Sequence, residues 1–302
     1  MLSNGNSRII LSDTGHTELW SGDILVNHTD FDLFETTDSL FCFASFAGKT
    51  ISAGMLPGAD DGNTEHFLKC NPGYACYVSR VAGVCEFSES LTMYRAESTV
   101  FSIKLELCSK MRKKEKDEPT PKFAVYFTPV IAKKLDYLSH VSFSSLFVSC
   151  EILRDNIILY KRRSSDGEDK AIYLAVALAD SDIRYNLVSR ADDLFSTPMS
   201  TDSFNEIFRK SNEDDNFGAL IRPCFAITFT PKTDGNLYGA EILLCVAAEK
   251  DKAISSVMAA REKSFREKCM SLSEISDKFS SNAGTGYFGT ENNQSCFEKL
   301  LC

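Results

Sequence analysis

Histidine and cysteine are the residue types in this sequence best able to ligate a metal or to act as nucleophiles, and their spacing favours neither role. The pairs Cys70/Cys76 and Cys296/Cys302 are not accompanied by a second His or Cys pair at zinc-site spacing. Ser/His/Asp and Cys/His nucleophile motifs, glycine-rich phosphate loops and HExxH are absent from the sequence. The sequence therefore predicts neither a metal nor a cofactor.

The composition is that of a globular protein with a large core and an acidic surface. Among the 302 residues are 22 Phe and 10 Tyr, and 43% of all residues are hydrophobic, which suffices for one large all-β domain or two smaller ones. The formal net charge of −9 argues against nucleic acid or an anionic membrane as a partner, because both need clustered Lys and Arg. The basic run at residues 110–116 ends in Asp117 and Glu118 and is typical of a solvated hairpin tip.

The cysteines indicate a reduced, cytoplasmic protein. Their number, eleven, is odd, and several lie inside apolar runs where a free thiol behaves as a small hydrophobe. Residues 1–7 are polar and carry no secretory signal pattern. No apolar run in the sequence approaches the ~20 residues that a membrane helix needs, so we expect no membrane partner.

Alternation of apolar and polar residues is the dominant pattern and predicts half-buried antiparallel strands. Residues 100–108 are the clearest example, and a similar pattern across the charged tip predicts a long hairpin over residues 100–131. Residues 172–178 and 242–248 are nearly continuous apolar runs, which predicts strands covered on both faces. So many strands predict one large sandwich of stacked antiparallel sheets.

Helical periodicity is confined to two segments. Residues 201–210 predict a short mid-chain helix, and residues 251–268 place Ile254, Val257, Met258 and Phe265 along one stripe. After Met270 the sequence turns polar, as in a linker. We therefore predict an all-β domain over residues 1–250, followed by a linker helix and polar tail over residues 251–302.

Two motifs resemble the N-terminal domain of the inverting glycoside phosphorylases, a family that includes cellobiose and chitobiose phosphorylases and cyclic β-1,2-glucan synthases. The first is the opening Leu-Ser-Asn-Gly at residues 2–5, followed by Ser-Asp-Thr-Gly at residues 12–15 and by Trp20. The second is Ser-His-x-x-Phe-Ser at residues 139–144, which precedes two strand-like runs joined by Arg-Asp-Asn. Residues 217–229 also resemble a family motif, with Arg222 in place of its Asp, and residues 253–266 resemble the helix after the last strand.

The resemblance implies a fold and also implies which domain carries out the reaction. The matched domain is a large antiparallel β-supersandwich of the galactose mutarotase type, followed in the family by a linker helix and an (α/α)6 barrel that carries the catalytic acid and the phosphate site. The sequence stops before such a barrel, so we assign no catalytic residue and expect an excised domain that is inactive alone. Implied partners are a β-glucan or β-glucoside oligosaccharide, the chain's own C-terminal barrel and a second copy in a homodimer.

The resemblance also selects candidate carbohydrate contacts. In the family the loop before the conserved Trp lies towards the barrel; here that loop is one residue shorter and lacks the family's Tyr and Arg. Trp20 could stack on a pyranose face while Asp13, His16 or Glu18 bond its hydroxyl groups. The alternative is that Trp20 is a core residue. His140 and Arg190 complete the candidates, each with a structural alternative, a bridge between strand ends or a surface ion pair.

Two other functions stay open. Short segments around His28 and His140 superficially resemble those of aldose mutarotases, in which a His acid and a Glu base act across the ring oxygen and the anomeric hydroxyl. Glu241, on a late strand, is the residue that we would assign as that base. The third hypothesis is a purely structural or dimerisation module.

Overall fold

The structure is a computed structural model, and nearly all of its regular elements are strands. It describes residues 1–29, 39–54, 63–71, 73–94, 98–111, 119–139, 145–163, 171–191, 207–208, 218–219 and 222–263. Within these residues the strands are β1 (Leu2–Ser3), β2 (Ser7–Leu11), β3 (Thr17–Ser21), β4 (Ile24–Asn27), β5 (Phe41–Phe46), β6 (Lys49–Ser52), β7 (Thr64–Asn71), β8 (Tyr74–Val81), β9 (Cys85–Met93), β10 (Val100–Ser109), β11 (Lys122–Phe127), β12 (Pro129–Lys133), β13 (Val148–Ile152), β14 (Ile157–Arg162), β15 (Ile172–Leu178), β16 (Tyr185–Arg190), β17 (Gly218–Ala219), β18 (Pro223–Phe229), β19 (Lys232–Asp234) and β20 (Leu237–Ala247). The α-helices are α1 (Lys134–Ser139) and α2 (Lys250–Arg261), and short 3-10 turns span Ser145–Phe147 and Arg154–Asn156.

The strands form three antiparallel sheets. The large sheet has the order β17-β13-β14-β15-β20-β10-β9-β8-β7, with β19 added against β20. The opposing sheet has the order β16-β18-β11-β5-β6, and the N-terminal sheet has the order β1-β2-β3-β4-β12. The predicted all-β antiparallel sandwich is confirmed.

Aromatic side chains fill the space between the large sheet and the opposing sheet. Phe87 of β9 meets Phe123 of β11 with ring centroids 5.5 Å apart. Phe127 and Phe225 stack within the opposing sheet at 4.7 Å, a separation at which offset aromatic pairs attract. The inner face of the N-terminal sheet adds Ile9 and other apolar side chains to the same cluster. One continuous core therefore joins all three sheets.

The predicted hairpin over residues 100–131 is wrong. β10 pairs with β9 and β20 in the large sheet, whereas β11 pairs with β5 and β18 in the opposing sheet. The chain thus crosses from one layer of the sandwich to the other between these two strands. Alternation fixes which face of a strand is apolar, but it does not say which strand lies beside it.

The two continuous apolar runs are covered on both faces, as predicted. β15 and β20 are neighbours near the middle of the large sheet. One face belongs to the central core, and the other is covered by α2, which buries Ala253, Val257 and Ala260 against it. Met258, predicted to lie on the same stripe, is 39% exposed, because the buried stripe runs through Ala253, Val257 and Ala260 and Met258 lies beside it. Phe265 lies outside the described residues.

The structure bears on the strand pair predicted around Arg-Asp-Asn but not on the predicted mid-chain helix. The two runs joined by Arg-Asp-Asn form the antiparallel pair β13–β14, with Asp155 and Asn156 in the left-handed region at φ 62° and 55°. The mid-chain helix predicted at residues 201–210 falls almost entirely outside the described residues. α1 was not predicted, since six residues are too few to show helical periodicity.

Within the described part of the chain, no helix has the length and apolar character to cross a membrane.

Candidate functional site

A tight turn between β2 and β3 carries the first of the predicted contact residues. The Ser12 amide donates to the His16 carbonyl at 2.9 Å, and the His16 amide donates to Ser12 Oγ at 3.0 Å. The Tyr77 hydroxyl, from the large sheet, donates to the Ser12 carbonyl at 2.6 Å and so anchors the turn from below. Asp13 at its tip is exposed. Hydrogen bonds therefore hold the base of the turn, while its apex is exposed to solvent.

His16 lies half-buried at the end of this turn. Its imidazole meets the Phe41 ring edge-to-face, with centroids 6.4 Å apart. Burial lowers the pKa of His16 below its ordinary value, because desolvation disfavours the charged imidazolium. A neutral imidazole can both donate and accept a hydrogen bond, which suits it to a hydroxyl group.

Glu18 is buried and bound on both carboxylate oxygens. Oε2 accepts a hydrogen bond from the Trp20 indole at 2.8 Å. Oε1 accepts from the Thr29 hydroxyl at 3.0 Å and from the Lys134 ammonium at 3.3 Å. These three donors come from β3, from the residues after β4 and from α1, so the carboxylate joins three elements.

Trp20 is only 7% exposed and packs among side chains of the N-terminal sheet. The Arg8 guanidinium lies 4.4 Å from the ring centroid and the Lys134 ammonium 5.4 Å, distances typical of cation–π contacts. Leu25 and Tyr137 complete the cluster around it. A sugar could therefore stack on Trp20 only by displacing one of these cations.

Beneath the turn a small crevice opens between the N-terminal sheet and the large sandwich. We call it the Glu89 crevice. It has about 210 Å³ of empty space, part of it open to solvent, and is lined by Thr14, Gly15, Leu40, Phe41, Cys42, Ser52, Gly54 and Glu89. Gly54 abuts the turn so closely that a Cβ there would lie 2.5 Å from Gly15 Cα.

Glu89 is a carboxyl group in the sandwich core. It is 3% exposed, and its β9 neighbours on the same face, Phe87 and Leu91, are fully buried. Burial raises the pKa of Glu89 to about 8, a rise that the Cys42 thiol only partly opposes by hydrogen-bonding the carboxylate. Its Oε1 atom has no hydrogen-bond partner among the described residues.

The sequence reasoning missed Glu89 although a signal was present. In β9, residues 85, 87, 91 and 93 are apolar, and Glu89 interrupts that alternation at a position that must face the core. An ionisable residue at such a position is a candidate functional group, since burial perturbs its pKa. Arg8 and Lys134 were also missed, and nothing in the sequence marks them as neighbours of Trp20.

The remaining candidates are dispersed. Arg190 ends β16, half-buried, opposite Pro223 of β18. His140 lies outside the described residues. Of the mutarotase set, His28 follows β4 and meets the Tyr137 ring at 5.3 Å, whereas the Glu241 carboxylate accepts a hydrogen bond from the Ser102 hydroxyl on the large sheet. His28 and Glu241 therefore lie on different sheets.

Comparison with known proteins gives a fold and no family. Neither a protein-family model nor a curated protein matches this sequence. A bacterial glucoamylase complexed with acarbose superimposes with a TM-score of 0.50 at 8% identity, over 93% of this chain and 39% of its own. A candidate kojibiose phosphorylase from the human microbiome superimposes with a TM-score of 0.51 at 9% identity, over 92% of this chain and 35% of its own.

At these identities the likeness shows a shared fold alone. The chain spans less than two fifths of the length of the two solved structures, which are enzymes of glycoside chemistry by name. A GalM/aldose epimerase homologue from C. elegans aligns over 99% of its own chain with a TM-score of 0.35, a score too low to bear on activity.

Proposed function

We propose that this chain is a carbohydrate-handling β-sandwich domain of a larger enzyme that cleaves or builds glycosidic bonds, and that the reaction centre lies elsewhere in that enzyme. The observation that carries the proposal is the superposition of more than nine tenths of the chain on little more than a third of each of two glycoside enzymes. Because a shared fold does not by itself imply a shared function, the residues of the site have to support the proposal as well.

The apex of the turn at residues 12–16 is the proposed sugar contact. Asp13 is exposed and His16 is half-buried with a neutral ring, so both can reach the hydroxyl groups of a bound glycoside. Glu18 and Trp20 follow the turn on β3, where their polar atoms already bond each other. Arg190 and His140 remain proposed contacts on the strength of the family resemblance.

The catalytic barrel of the same polypeptide is the proposed partner, and α1 is the surface that it would cover. Leu135 is 83% exposed and Leu138 is 54% exposed, although Tyr137 of the same helix is buried beside Trp20. Leu146, from the turn that follows, is 46% exposed. Exposed large apolar side chains mark contact sites when they form a patch, and α1 is the helix whose Lys134 and Tyr137 contact Glu18 and the Trp20 cluster.

The finer features of the proposal come from the resemblance to glycoside phosphorylases. The substrate would be a β-glucoside or a β-glucan, the compartment would be the reducing cytoplasm, and the enzyme could assemble as a homodimer. Glucoamylase and kojibiose phosphorylase are the names of the two solved structures, so a substrate panel has to include α-linked as well as β-linked glucosides.

Saturation-transfer NMR on residues 1–302 tests the sugar contact. Cellobiose, a β-1,2-linked glucan oligosaccharide, maltose and kojibiose are each titrated against the wild type, Asp13→Asn and His16→Gln. One hydrogen bond contributes about 0.5–1.5 kcal/mol, so we expect each variant to weaken binding about 2- to 12-fold. Asp234→Asn, which changes an exposed carboxylate at a distant turn, is the control.

Two results would overturn the proposal. One is the absence of saturation transfer from every sugar in the panel at millimolar concentration. The other is release of glucose 1-phosphate from a glucoside and phosphate by residues 1–302 alone, which would place a reaction centre inside this chain.

A further inference from the structure

The Glu89 crevice lies directly below the turn that carries Asp13 and His16. Thr14 and Gly15 form its outer rim, and Glu89 lines it from the large sheet. Tyr77, which faces Glu89 across the β8–β9 pair, also holds the turn through the Ser12 carbonyl. A group that enters the crevice therefore touches the floor and the turn at once.

The floor of the crevice has an unused polar atom. Oε1 of Glu89 has no partner among the described residues, although the side chain is 97% buried. A buried acceptor or donor that stays unbonded costs about 1–3 kcal/mol. A ligand whose polar group hydrogen-bonds to Oε1 removes this cost, and that gain favours its binding.

The groups around Glu89 favour a neutral ligand. The Cys42 thiol bonds the carboxyl, Tyr77 is its cross-strand neighbour on β8, and Leu105 is its neighbour on β10. Burial raises the pKa of Cys42 and that of Tyr77, so both stay uncharged. With its own pKa raised to about 8, Glu89 keeps its proton at neutral pH. None of these three described side chains therefore carries a charge that would hold an ion.

The crevice is too small for a whole sugar. Of its roughly 210 Å³, part is open solvent, and the space that a water-sized group can occupy is about 10 Å³, enough for about one such group. A hydroxyl group fits the chemistry, since it can donate and accept and so matches a protonated carboxyl whichever oxygen carries the proton. We propose that the Glu89 crevice binds one hydroxyl group of a neutral polyol, with Glu89 as its hydrogen-bond partner, an inference that rests on the proposed carbohydrate function.

The direct test follows the side-chain carboxyl carbon of Glu89 by ¹³C NMR while glycerol is added to the full chain at pH 6. The resonance is assigned by its loss in Glu89→Gln. We expect a saturable shift of the Glu89 resonance and none for Glu86, which lies on the same strand but faces Arg80 on the outer side. A Glu89 resonance that does not move up to about 1 M glycerol, where even a ligand with a Kd of about 0.1 M would be mostly bound, would overturn the proposal.

Binding variants provide an independent test with the sugar from the panel that binds the wild type best. Glu89→Leu keeps the size but removes the polar atoms, and we expect affinity to fall about tenfold, as for a lost hydrogen bond of this kind. Glu89→Gln retains a donor and an acceptor and should bind within about threefold of the wild type. Unfolding midpoints confirm that each variant is folded, and Glu86→Gln is the matched control.

The two proposals fail in different ways. If Asp13→Asn and His16→Gln weaken sugar binding but Glu89→Leu does not, the crevice proposal is wrong and the carbohydrate function stands. If no sugar binds at all, the carbohydrate function is wrong, and the glycerol titration still decides whether the crevice takes a hydroxyl group.

Discussion

The Trp20 indole and the Glu18 carboxylate are joined by a 2.8 Å hydrogen bond between two residues of one strand. Side chains two apart on a strand point to the same face, so β3 places both on the outer side of the N-terminal sheet. The carboxylate also accepts from Thr29 and Lys134. Residues that the sequence suggests for ligand binding are therefore engaged in holding the domain together.

We expect Glu18→Ala, which removes the carboxylate, to destabilise the fold more than Glu18→Gln, which removes only its charge. Glu18→Ala leaves the Trp20 indole and the Lys134 ammonium without their acceptor, and we expect a loss of about 3 kcal/mol. Glu18→Gln keeps one acceptor oxygen and should lose about 1–2 kcal/mol. Urea unfolding monitored by the fluorescence of Trp20, the only tryptophan, measures both.

Glu65→Ala is the control for Glu18, because Glu65 is an exposed carboxylate paired with Arg80 at 3.5 Å. Exposed ion pairs contribute little, so its unfolding free energy should stay within about 0.5 kcal/mol of the wild type. Equal losses for Glu18→Ala and Glu65→Ala would contradict the role assigned to Glu18.

Stability should fall as the pH rises, because of Glu89. Its folded-state pKa of about 8 exceeds the ordinary value of 4.5, so the unfolded chain gives up the proton first. The contribution is complete below pH 4.5 and is lost as the pH rises to 8, with a total of about 5 kcal/mol. Urea unfolding at pH 5, 6, 7 and 8 measures it.

Glu89→Gln isolates this effect from other titrations, since the amide does not ionise. The wild type should lose about 1.4 kcal/mol per pH unit relative to Glu89→Gln between pH 5 and 8. His16 acts in the opposite sense, because burial lowers its pKa and folding therefore releases a proton below its ordinary pKa of 6.5. The difference between the two proteins cancels this effect. Parallel pH profiles would show that Glu89 is not a buried acid.

Local patterns in the sequence predicted the strands but not their partners. Alternation in β10 identified its buried face correctly, with Phe101, Ile103 and Leu105 in the core. The partner of β10 was wrongly expected to be β11, because sequence neighbours often pair and the charged residues between them suggested a hairpin tip. Pairing depends on the packing of two whole sheets, which no single strand encodes.

The candidate site was predicted in position and only partly in composition. The turn before Trp20 was selected through its motif, and it does form a rim above a crevice. Glu89, which lines the crevice, and Tyr77, which holds the turn above it, are more than 60 residues away in sequence and could be placed there only by the fold. The Leu-Ser-Asn-Gly motif at residues 2–5 has a structural role. Asn4 is fully buried, and its side chain accepts a hydrogen bond from the Ser7 amide at 2.7 Å.

Gly54→Ala should disturb the turn above the crevice. The added Cβ would lie 2.5 Å from Gly15 Cα, and an overpacked contact with backbone costs about 1–3 kcal/mol. Gly239→Ala is the matched control, because its Cβ would meet only the Leu105 carbonyl oxygen at 3.8 Å, an ordinary contact. Urea unfolding gives the two losses, and equal losses would show that Gly54 and Gly15 are not in close contact.

Alanine substitutions at two positions of α1, two residues apart, should differ sharply in their cost to stability. Tyr137 is buried against the Trp20 cluster and the His28 ring, so Tyr137→Ala should cost about 3 kcal/mol and change the Trp20 emission. Leu135 is 83% exposed, so Leu135→Ala should stay within about 0.5 kcal/mol of the wild type. A Leu135→Ala loss as large as that of Tyr137→Ala would mean that Leu135 packs against the domain.

Thiol labelling should separate the cysteines by burial. Cys70 and Cys108 are exposed, whereas Cys85 and Cys150 are buried, with their pKa values raised by burial to about 11 and about 12. Because the thiolate is the reactive form, the two buried thiols should react at least about two orders of magnitude more slowly at pH 8. Labelling of the native chain with a maleimide, resolved by peptide mass spectrometry, measures each site, with Cys70→Ser and Cys108→Ser as controls. Early modification of Cys85 or Cys150 in the native chain would mean that the sandwich opens at β9 or β13.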